Sequence, residues 1–282
     1  MPTALLFPGQ GAPAADWRDA IARWCPELLA EARRLLGGRD PLERFGTGTE
    51  FDQPAIYSAS IAAFAAAGRP AATFHAGHSM GEIAALACAG AFSERDGLRV
   101  VVERGRLMAA AAGGAGAMLA VRVGADEVAG TAAASGVVIA NLNSPSQTVL
   151  SGPVPAIERA AAELGERGIK AKRLAIGGAF HSPAMAPAAE RFRRFLAGIR
   201  FKAPSVPVLS GRTGRAFTDP VSELAASLLA PVRWIDVVAS LDAAGVTSFR
   251  EIGPGRALTG LVRKILPSAD AEASAPPEAI GA

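Results

Sequence analysis

A short glycine-bounded turn limits the possible folds of this chain more than any other segment does. Residues 77–81 read GHSMG and fit the pattern G-x-S-x-G. An apolar stretch at residues 71–76 precedes the turn, and an Ala-rich helical stretch at residues 82–89 follows it. Such a turn needs glycine on both sides of the serine, because larger side chains would collide there. The pattern predicts a nucleophile elbow, with the Ser79 hydroxyl exposed above a helix N-terminus that favours an oxyanion.

A serine hydroxyl needs a base to lose its proton near neutral pH, and the chain has 3 histidines. His75 lies in the strand that leads to the elbow, and the turn should direct His78 away from the hydroxyl. Elimination leaves His181 as the candidate base. No histidine follows it, so the chain order of the α/β-hydrolases, in which an acid separates the serine from a late histidine, fits poorly.

The middle of the chain has the element order of a small inserted domain. A Gly-rich joint at residues 113–116 precedes it, and Gly177-Gly178 closes it. Between them the patterns predict β-α-β-β-α-β, the ferredoxin-like order. The predicted segments are strand 118–123, helix 126–134, strand 137–143, strand 147–151, helix 155–167 and strand 169–176. We therefore expect an α/β protein whose large α/β-hydrolase-like domain (1–115 and 179–267) carries a ferredoxin-like insertion (116–178), followed by a flexible tail (268–282).

Turn and capping residues mark where the predicted strands and helices of the large domain begin and end. Residues 3–7 predict a buried strand that ends at residues 8–11, PGQG. Asp52 with Pro54 predicts a helix start, and Ser93 with Asp96 forms a capping box. The remaining predicted elements are a helix at 17–36, helices at 185–199 and 221–229, and strands at 206–210 and 248–252.

Composition excludes several functional classes. The chain has 2 cysteines and a net charge of +3, so we expect neither a disulfide framework nor a metal site, and no nucleic-acid partner. No signal peptide or membrane span is evident. We expect a cytoplasmic monomer.

Two local runs are more basic than the rest of the chain. One holds Arg159, Arg167, Lys170, Lys172 and Arg173; the other holds Arg191, Arg193, Arg194, Arg200 and Lys202. Either run is a solvated face or a docking surface for an acidic partner.

Eight short motifs, in order between Leu5 and Leu266, resemble the malonyl-CoA:acyl carrier protein transacylases and the acyltransferase domains of fatty acid and polyketide synthases. The motifs are FPGQG (7–11), QPA (53–55), GHSMGE (77–82), RGRLM (104–108), NSP (143–145), FHS (180–182), PVRW (231–234) and EIGPG (251–255).

The resemblance implies a ping-pong malonyl transfer without a permanently bound cofactor. Ser79 would attack the thioester of malonyl-CoA, and His181 would move the proton. The acceptor would be the phosphopantetheine thiol of an acidic acyl carrier protein, bound at the cleft between the domains. Backbone N–H groups of Gln10 and Met80 would form the oxyanion hole.

Five further positions receive roles from the same resemblance. Arg104 would hold the free carboxylate of malonyl in a two-bond fork. Phe180 would leave little room for an α-methyl branch, and Gln53 and Asn143 would line and support the site. The backbone carbonyl of Ser227 would orient His181.

Other functions stay open on the sequence. An acyl hydrolase that clears carrier proteins would gain nothing from Arg104. The malonyl transferase component of a malonate decarboxylase, an acyltransferase of another acyl specificity and a non-catalytic carrier-protein module are the remaining alternatives. A general lipase fits least, because of the chain order.

Overall fold

The computed structural model describes residues 1–275 and 278–279. The first part of the large domain alternates short strands with helices. Its elements are β1 (Thr3–Phe7), α1 (Arg18–Trp24), α2 (Pro26–Leu35), α3 (Thr49–Ala66), β2 (Phe74–Gly77), α4 (Gly81–Cys88) and α5 (Glu94–Ala112). The Ser93 hydroxyl caps α5 by accepting from the Asp96 N–H at 3.0 Å, as the capping box predicts. Gly113, in the left-handed region at φ +53°, ends α5.

The small domain is an antiparallel sheet covered by two helices. Its elements are β3 (Gly116–Val121), α6 (Ala125–Ser135), β4 (Val138–Ser144), β5 (Gln147–Pro153), α7 (Val154–Glu166) and β6 (Ala171–Arg173). The strand order is β4-β5-β3-β6, and every pairing is antiparallel. This is the ferredoxin-like arrangement, which confirms the predicted order of elements.

The chain then returns to the large domain and completes its sheet. The elements are α8 (Ala186–Leu196), β7 (Val208–Leu209), α9 (Pro220–Ser227), α10 (Trp234–Ala243), β8 (Ser248–Glu251), α11 (Ala257–Ile265) and β9 (Asp270–Ala273). The sheet has the order β7-β2-β1-β8-β9, and all four pairings are parallel. Parallel strands end at one edge, so the loops that follow β1 and β2 lie side by side. The predicted α/β class is confirmed.

The large domain and the small domain are joined by main-chain hydrogen bonds. The Leu142 N–H in β4 donates to the Val232 carbonyl at 2.8 Å, and the Val232 N–H donates to the Ala140 carbonyl at 2.9 Å. β4 therefore pairs with a segment of the large domain as well as with β5.

Three local predictions were wrong. The helix at 17–36 is two helices, because Pro26 cannot continue α1 and instead opens α2. The helix predicted from Asp52 begins at Thr49 and includes Pro54, since burial of the apolar residues along α3 outweighs the lost N–H. The tail expected after residue 267 contains β9, a strand that exists only through its pairing with β8. Residues 276–277 and 280–282, on which the rest of that prediction falls, lie outside the described residues.

α10 and α11 have no counterpart among the predicted elements. The division into domains at residues 115, 178 and 267 stays a prediction. Over residues 1–275 and 278–279, no helix is long and apolar enough to cross a membrane.

Candidate active site

The Ser79 elbow lies between β2 and α4, against the end of β1. Ser79 has φ +55°, a left-handed conformation that is strained for serine. A Cβ on Gly77 would lie 2.0 Å from the carbonyl carbon of Gly81, and a Cβ on Gly81 would lie 2.1 Å from the Phe7 carbonyl oxygen. Glycine is therefore required on both sides of Ser79, for the steric reason that the sequence pattern suggests.

The Ser79 hydroxyl is bonded to His181. The Ser79 Oγ lies 2.8 Å from His181 Nε2, and His181 Nδ1 lies 2.8 Å from the Ser227 carbonyl and 3.2 Å from the Ala230 carbonyl. A carbonyl can only accept, so Nδ1 carries the proton and Nε2 is free to accept from Ser79. The arrangement is that of a nucleophile, a base and a group that orients the base.

His181 is held neutral by its surroundings. Burial, first, and the positive charge of Arg104, second, lower the pKa of His181 to about 3. The residue is 5% exposed. A neutral imidazole is ready to accept a proton over the whole range around neutral pH.

We expect kcat/KM for Ser79 acylation not to fall through protonation of His181 as the pH drops through 6.5, because the folded pKa of His181 lies near 3. Quenched-flow mass spectrometry between about pH 5 and 8 measures the rate. The folded pKa lies below the unfolded value, so His181 reduces the free energy of unfolding as pH falls below about 6.5 toward 3. Arg104→Ala serves as the control. Removing that charge raises the pKa of His181, so the pH below which the acylation rate falls moves upward. A fall in the wild-type acylation rate with a midpoint near pH 6.5 would contradict the expectation.

Arg104 is a buried cation at the serine. Its side chain comes from α5, and the residue is 3% exposed. Nη2 donates to Ser79 Oγ at 3.1 Å, and Nη1 donates to Gln53 Oε1 at 2.9 Å. Burial lowers the pKa of Arg104 to about 10, against the opposing effect of Glu82. Within residues 1–275 and 278–279, no carboxylate forms an ion pair with Arg104. A buried guanidinium without an ion-pair partner can bind an anionic ligand.

Gln10 is fixed by its side chain and lies beside the elbow. Its Nε2 donates to Asp52 Oδ2 at 3.1 Å, and its Oε1 accepts from Thr49 Oγ1 at 2.7 Å. A Cβ on the preceding Gly9 would lie 2.5 Å from the His78 carbonyl oxygen, so the loop and the elbow are in contact. In the described part of the chain, the backbone N–H groups of Gln10 and Met80 have no hydrogen-bond acceptor.

Asn143 contacts His78 and not the serine. Its Oδ1 lies 2.9 Å from His78 Nε2, and its Nδ2 donates to Gln147 Oε1 at 3.3 Å. The His78 ring also packs on Trp234, with ring centroids 5.6 Å apart. His75 is buried, and its Nδ1 lies 3.2 Å from the Ala85 carbonyl. The two histidines near the elbow are thus engaged elsewhere.

Two cavities meet at Gln10, His78 and Asn143. The smaller, about 130 Å³, contains Ser79, His181 and Arg104. Its apolar wall is formed by Met108, Met118, Val149, Leu174, Ile176 and Phe180. The larger, about 400 Å³, lies along α11 and includes Arg256 and Lys264. The smaller cavity, which we call the acyl chamber, has room for a short acyl group.

All eight site residues predicted from the sequence lie in or next to this region. Gln53 bonds Arg104 and Thr49, Met80 follows the serine, and Phe180 lines the acyl chamber. The sequence reasoning missed Thr49 and Asp52, which hold Gln10, and the Ala230 carbonyl, which carries no side-chain signal. In the part of the chain that the structure describes, no His, Cys, Asp and Glu cluster of three or more could hold a metal ion.

Comparisons with known proteins agree with this geometry. The family described as acyl transferase domain matches residues 42–278. The polyketide biosynthesis protein ThaF of Burkholderia thailandensis is 42% identical over 94% of this chain, which spans only 24% of that protein's length. The malonyl CoA-acyl carrier protein transacylase of Escherichia coli is 36% identical, and the match covers 99% of this chain and 97% of that protein.

Solved structures give the same result. The malonyl-CoA:acyl carrier protein transacylase of Xanthomonas oryzae pv. oryzae has a TM-score of 0.90 at 35% identity, covering 100% of this chain and 98% of that one. A malonyl-transacylase solved in complex with its type II PKS acyl-carrier protein has a TM-score of 0.87 at 32% identity, covering 97% and 95%. The chain belongs to the malonyl-CoA:acyl carrier protein transacylase family of acyl transferases.

Proposed function

We propose that this protein transfers a malonyl group from malonyl-CoA to the phosphopantetheine thiol of an acyl carrier protein, through a malonyl-Ser79 intermediate. The observation that carries the proposal is the buried Arg104 guanidinium, 3.1 Å from the Ser79 Oγ. An enzyme that handled neutral acyl groups would leave this charge without a counterion in the acyl chamber.

Acylation of the serine begins with proton transfer. The Ser79 hydroxyl gives its proton to His181 Nε2, across the 2.8 Å hydrogen bond, as Oγ attacks the thioester carbonyl carbon. The resulting oxyanion accepts from the backbone N–H groups of Gln10 and Met80. The C–S bond then breaks, and the imidazolium returns the proton to the sulfur of coenzyme A.

Deacylation repeats these steps with another thiol. The phosphopantetheine thiol gives its proton to His181 and attacks the malonyl ester; the C–O bond breaks, and Ser79 Oγ regains a proton from His181. The larger cavity, with Arg256 just before α11 and Lys264 on it, would hold the arm that carries the thioester.

Substrate choice rests on Arg104 and Phe180. The two N–H groups that Arg104 now directs at Gln53 and Ser79 can instead form a fork with the malonyl carboxylate. Phe180, 4% exposed, lies in the wall of the acyl chamber. Exclusion of one methyl group is worth about 1–3 kcal/mol, so methylmalonyl is disfavoured rather than refused.

The alternative is a hydrolase that releases acyl groups from carrier proteins. A two-step assay tests both functions: intact mass of the protein after brief exposure to malonyl-, methylmalonyl- or acetyl-CoA, followed by addition of a holo acyl carrier protein. Preferred malonyl loading and a shift of the adduct to the carrier protein support the proposal. Free malonate with no carrier-protein adduct supports the hydrolase.

Partner docking is proposed at the edge strand β6. In the first basic run, Arg159 and Arg167 hold the small domain together by bonding backbone or threonine oxygens of its helices. Lys170 and Lys172 form no ion pair in the described part of the chain, and Arg173 only a 3.9 Å pair with Glu158. β6 leads to Leu174 and Ile176 in the wall of the acyl chamber. An acidic carrier protein bound here would lie beside the entrance.

Charge reversal of Lys170 and Arg173 to Glu should raise the carrier-protein KM by about tenfold or more at low salt, with little change in malonyl loading. Steady-state transfer kinetics and intact-mass loading measure the two steps separately. The matched control reverses Arg191 and Arg200 in the second basic run. An equal effect on both steps, or a larger effect of the control, would contradict docking at β6.

We also propose that the protein acts as a monomer in the cytoplasm. Among the described residues, the exposed large hydrophobic side chains are Met1, Trp24 and Leu229, which belong to separate segments of the chain. Light scattering on the purified protein measures the oligomeric state, and a dimer mass would contradict the proposal.

A further inference from the structure

Glu82 is a buried carboxylate that the proposed reaction does not use. It lies in the first turn of α4, three residues after Ser79, and is 2% exposed. Burial raises the pKa of Glu82 to about 7, and the Gly211 N–H and the Arg104 charge act in the opposite direction. Its Oε1 accepts from the Gly211 N–H at 2.5 Å. Keeping a carboxylate in such a place is unfavourable unless it forms a contact that the fold needs.

Gly211 begins a series of backbone contacts that ends at His181. The Gly211 carbonyl accepts from the Arg233 N–H at 2.6 Å. A Cβ on Gly211 would lie 3.3 Å from both Glu82 Oε1 and Val232 Cγ1, so the three groups are in close contact. The segment 230–233 therefore rests on the loop that Glu82 holds. The same segment supplies the Ala230 carbonyl, 3.2 Å from His181 Nδ1.

We propose that Glu82 is a positioning residue for His181, acting through the loop at 210–211. By accepting from the Gly211 N–H, Glu82 keeps segment 230–233 in place and holds the Ala230 carbonyl where, with the Ser227 carbonyl, it fixes the proton on Nδ1. His181 Nε2 then always faces Ser79 as an acceptor. The inference rests on the proposed roles of Ser79 and His181.

Two substitutions test the hydrogen-bond acceptor of Glu82 and its negative charge separately. Glu82→Gln keeps an oxygen that can accept from Gly211 and removes the charge. Glu82→Met keeps a similar length and removes the acceptor, which leaves the Gly211 N–H without a partner. Glu251→Met is the matched control: Glu251 is also buried and also accepts backbone N–H groups, from Leu258 and Thr259 on α11.

The first readout is the Nδ1–H resonance of His181 in protein labelled with ¹⁵N-histidine. The chain has 3 histidines, so the ring signals are few, and His181→Ala assigns the resonance. We expect the resonance to be unchanged in Glu82→Gln and in Glu251→Met, and shifted or exchange-broadened in Glu82→Met. The second readout is the rate of Ser79 acylation, which should fall about 10- to 100-fold in Glu82→Met and stay within about threefold in Glu82→Gln.

Three results would overturn the inference. They are an unchanged His181 resonance in folded Glu82→Met, a Glu82→Gln variant as impaired as Glu82→Met, and a Glu251→Met variant with the same His181 shift. If Glu82→Met does not fold, Gly211→Ala replaces it as the test. The added methyl group crowds Glu82 and Val232 and should shift the His181 resonance. An unchanged resonance in Gly211→Ala would also overturn the inference. Because the resonance is read without substrate, it decides this question even if wild type fails to load malonyl.

Discussion

Ser79→Ala is expected to abolish the covalent malonyl adduct that wild type forms with malonyl-CoA, and to lower turnover by about 10⁴-fold or more. The elbow leaves no substitute nucleophile, because Ser79 Oγ is the hydroxyl that His181 Nε2 and Arg104 Nη2 contact. Intact-mass spectrometry after a brief incubation measures the adduct, and a thiol-release assay measures turnover.

Two further variants locate the defect. His181→Ala keeps the nucleophile and loses the base, so the adduct should form about 10²- to 10⁴-fold more slowly. Ser93→Ala removes the cap of α5, which lowers the free energy of unfolding by about 1 kcal/mol but should leave loading intact. A malonyl adduct that persists in Ser79→Ala would place the nucleophile elsewhere and would remove the basis of the proposed mechanism.

Arg104→Ala is expected to reverse the acyl preference. Loss of a charge-assisted fork to the malonyl carboxylate costs about 2–5 kcal/mol, or about 30- to 5,000-fold in kcat/KM for malonyl-CoA. Acetyl-CoA has no carboxylate to lose, so acetyl loading should stay equal or rise, since the charge in the acyl chamber is removed. Competition between the two thioesters, read as the ratio of the two adducts, measures the reversal.

Two arginine variants serve as controls for this reversal. Arg104→Lys keeps the charge but cannot form the planar fork, so its preference should lie between those of wild type and Arg104→Ala. Arg99→Ala removes an arginine from the same helix whose side chain is 47% exposed and pairs with Asp96, and should change nothing in loading. Equal malonyl loading by Arg104→Ala and wild type would refute the carboxylate role.

Local steric rules account for the parts of the fold that the sequence predicted well. The Ser79 elbow and the Ser93 cap depend on residues within a few positions of each other, and β1 was predicted with its observed bounds. β9 could not be predicted in this way. Its four residues form a strand because β8 offers an unpaired edge, and Ala271 is buried in a cluster that includes Phe249 of β8 and Val262 of α11.

The site was predictable to the extent that side chains define it. Elimination among 3 histidines indicated His181, and the family resemblance supplied the role of Arg104. The Ala230 carbonyl could not be found in either way, because every residue has a carbonyl and only tertiary structure directs this one at His181 Nδ1. The contact of Asn143 with His78, rather than with Ser79, is a detail of the same kind.

The pairing of β4 with Val232 limits how this enzyme can move during turnover. Widening the cleft by rotating the small domain would break both main-chain hydrogen bonds to Val232, each worth about 0.5–1.5 kcal/mol, and would disturb the Ala230 carbonyl two residues away. A rotation of that kind would loosen one of the two carbonyl contacts that hold His181 Nδ1. Entry of a thiol without that cost would rely on side-chain rearrangement at the rim, with the width of the chamber nearly unchanged. The largest acyl group that fits would then be set by the walls of the acyl chamber as they stand, formed by residues such as Met108, Met118 and Phe180.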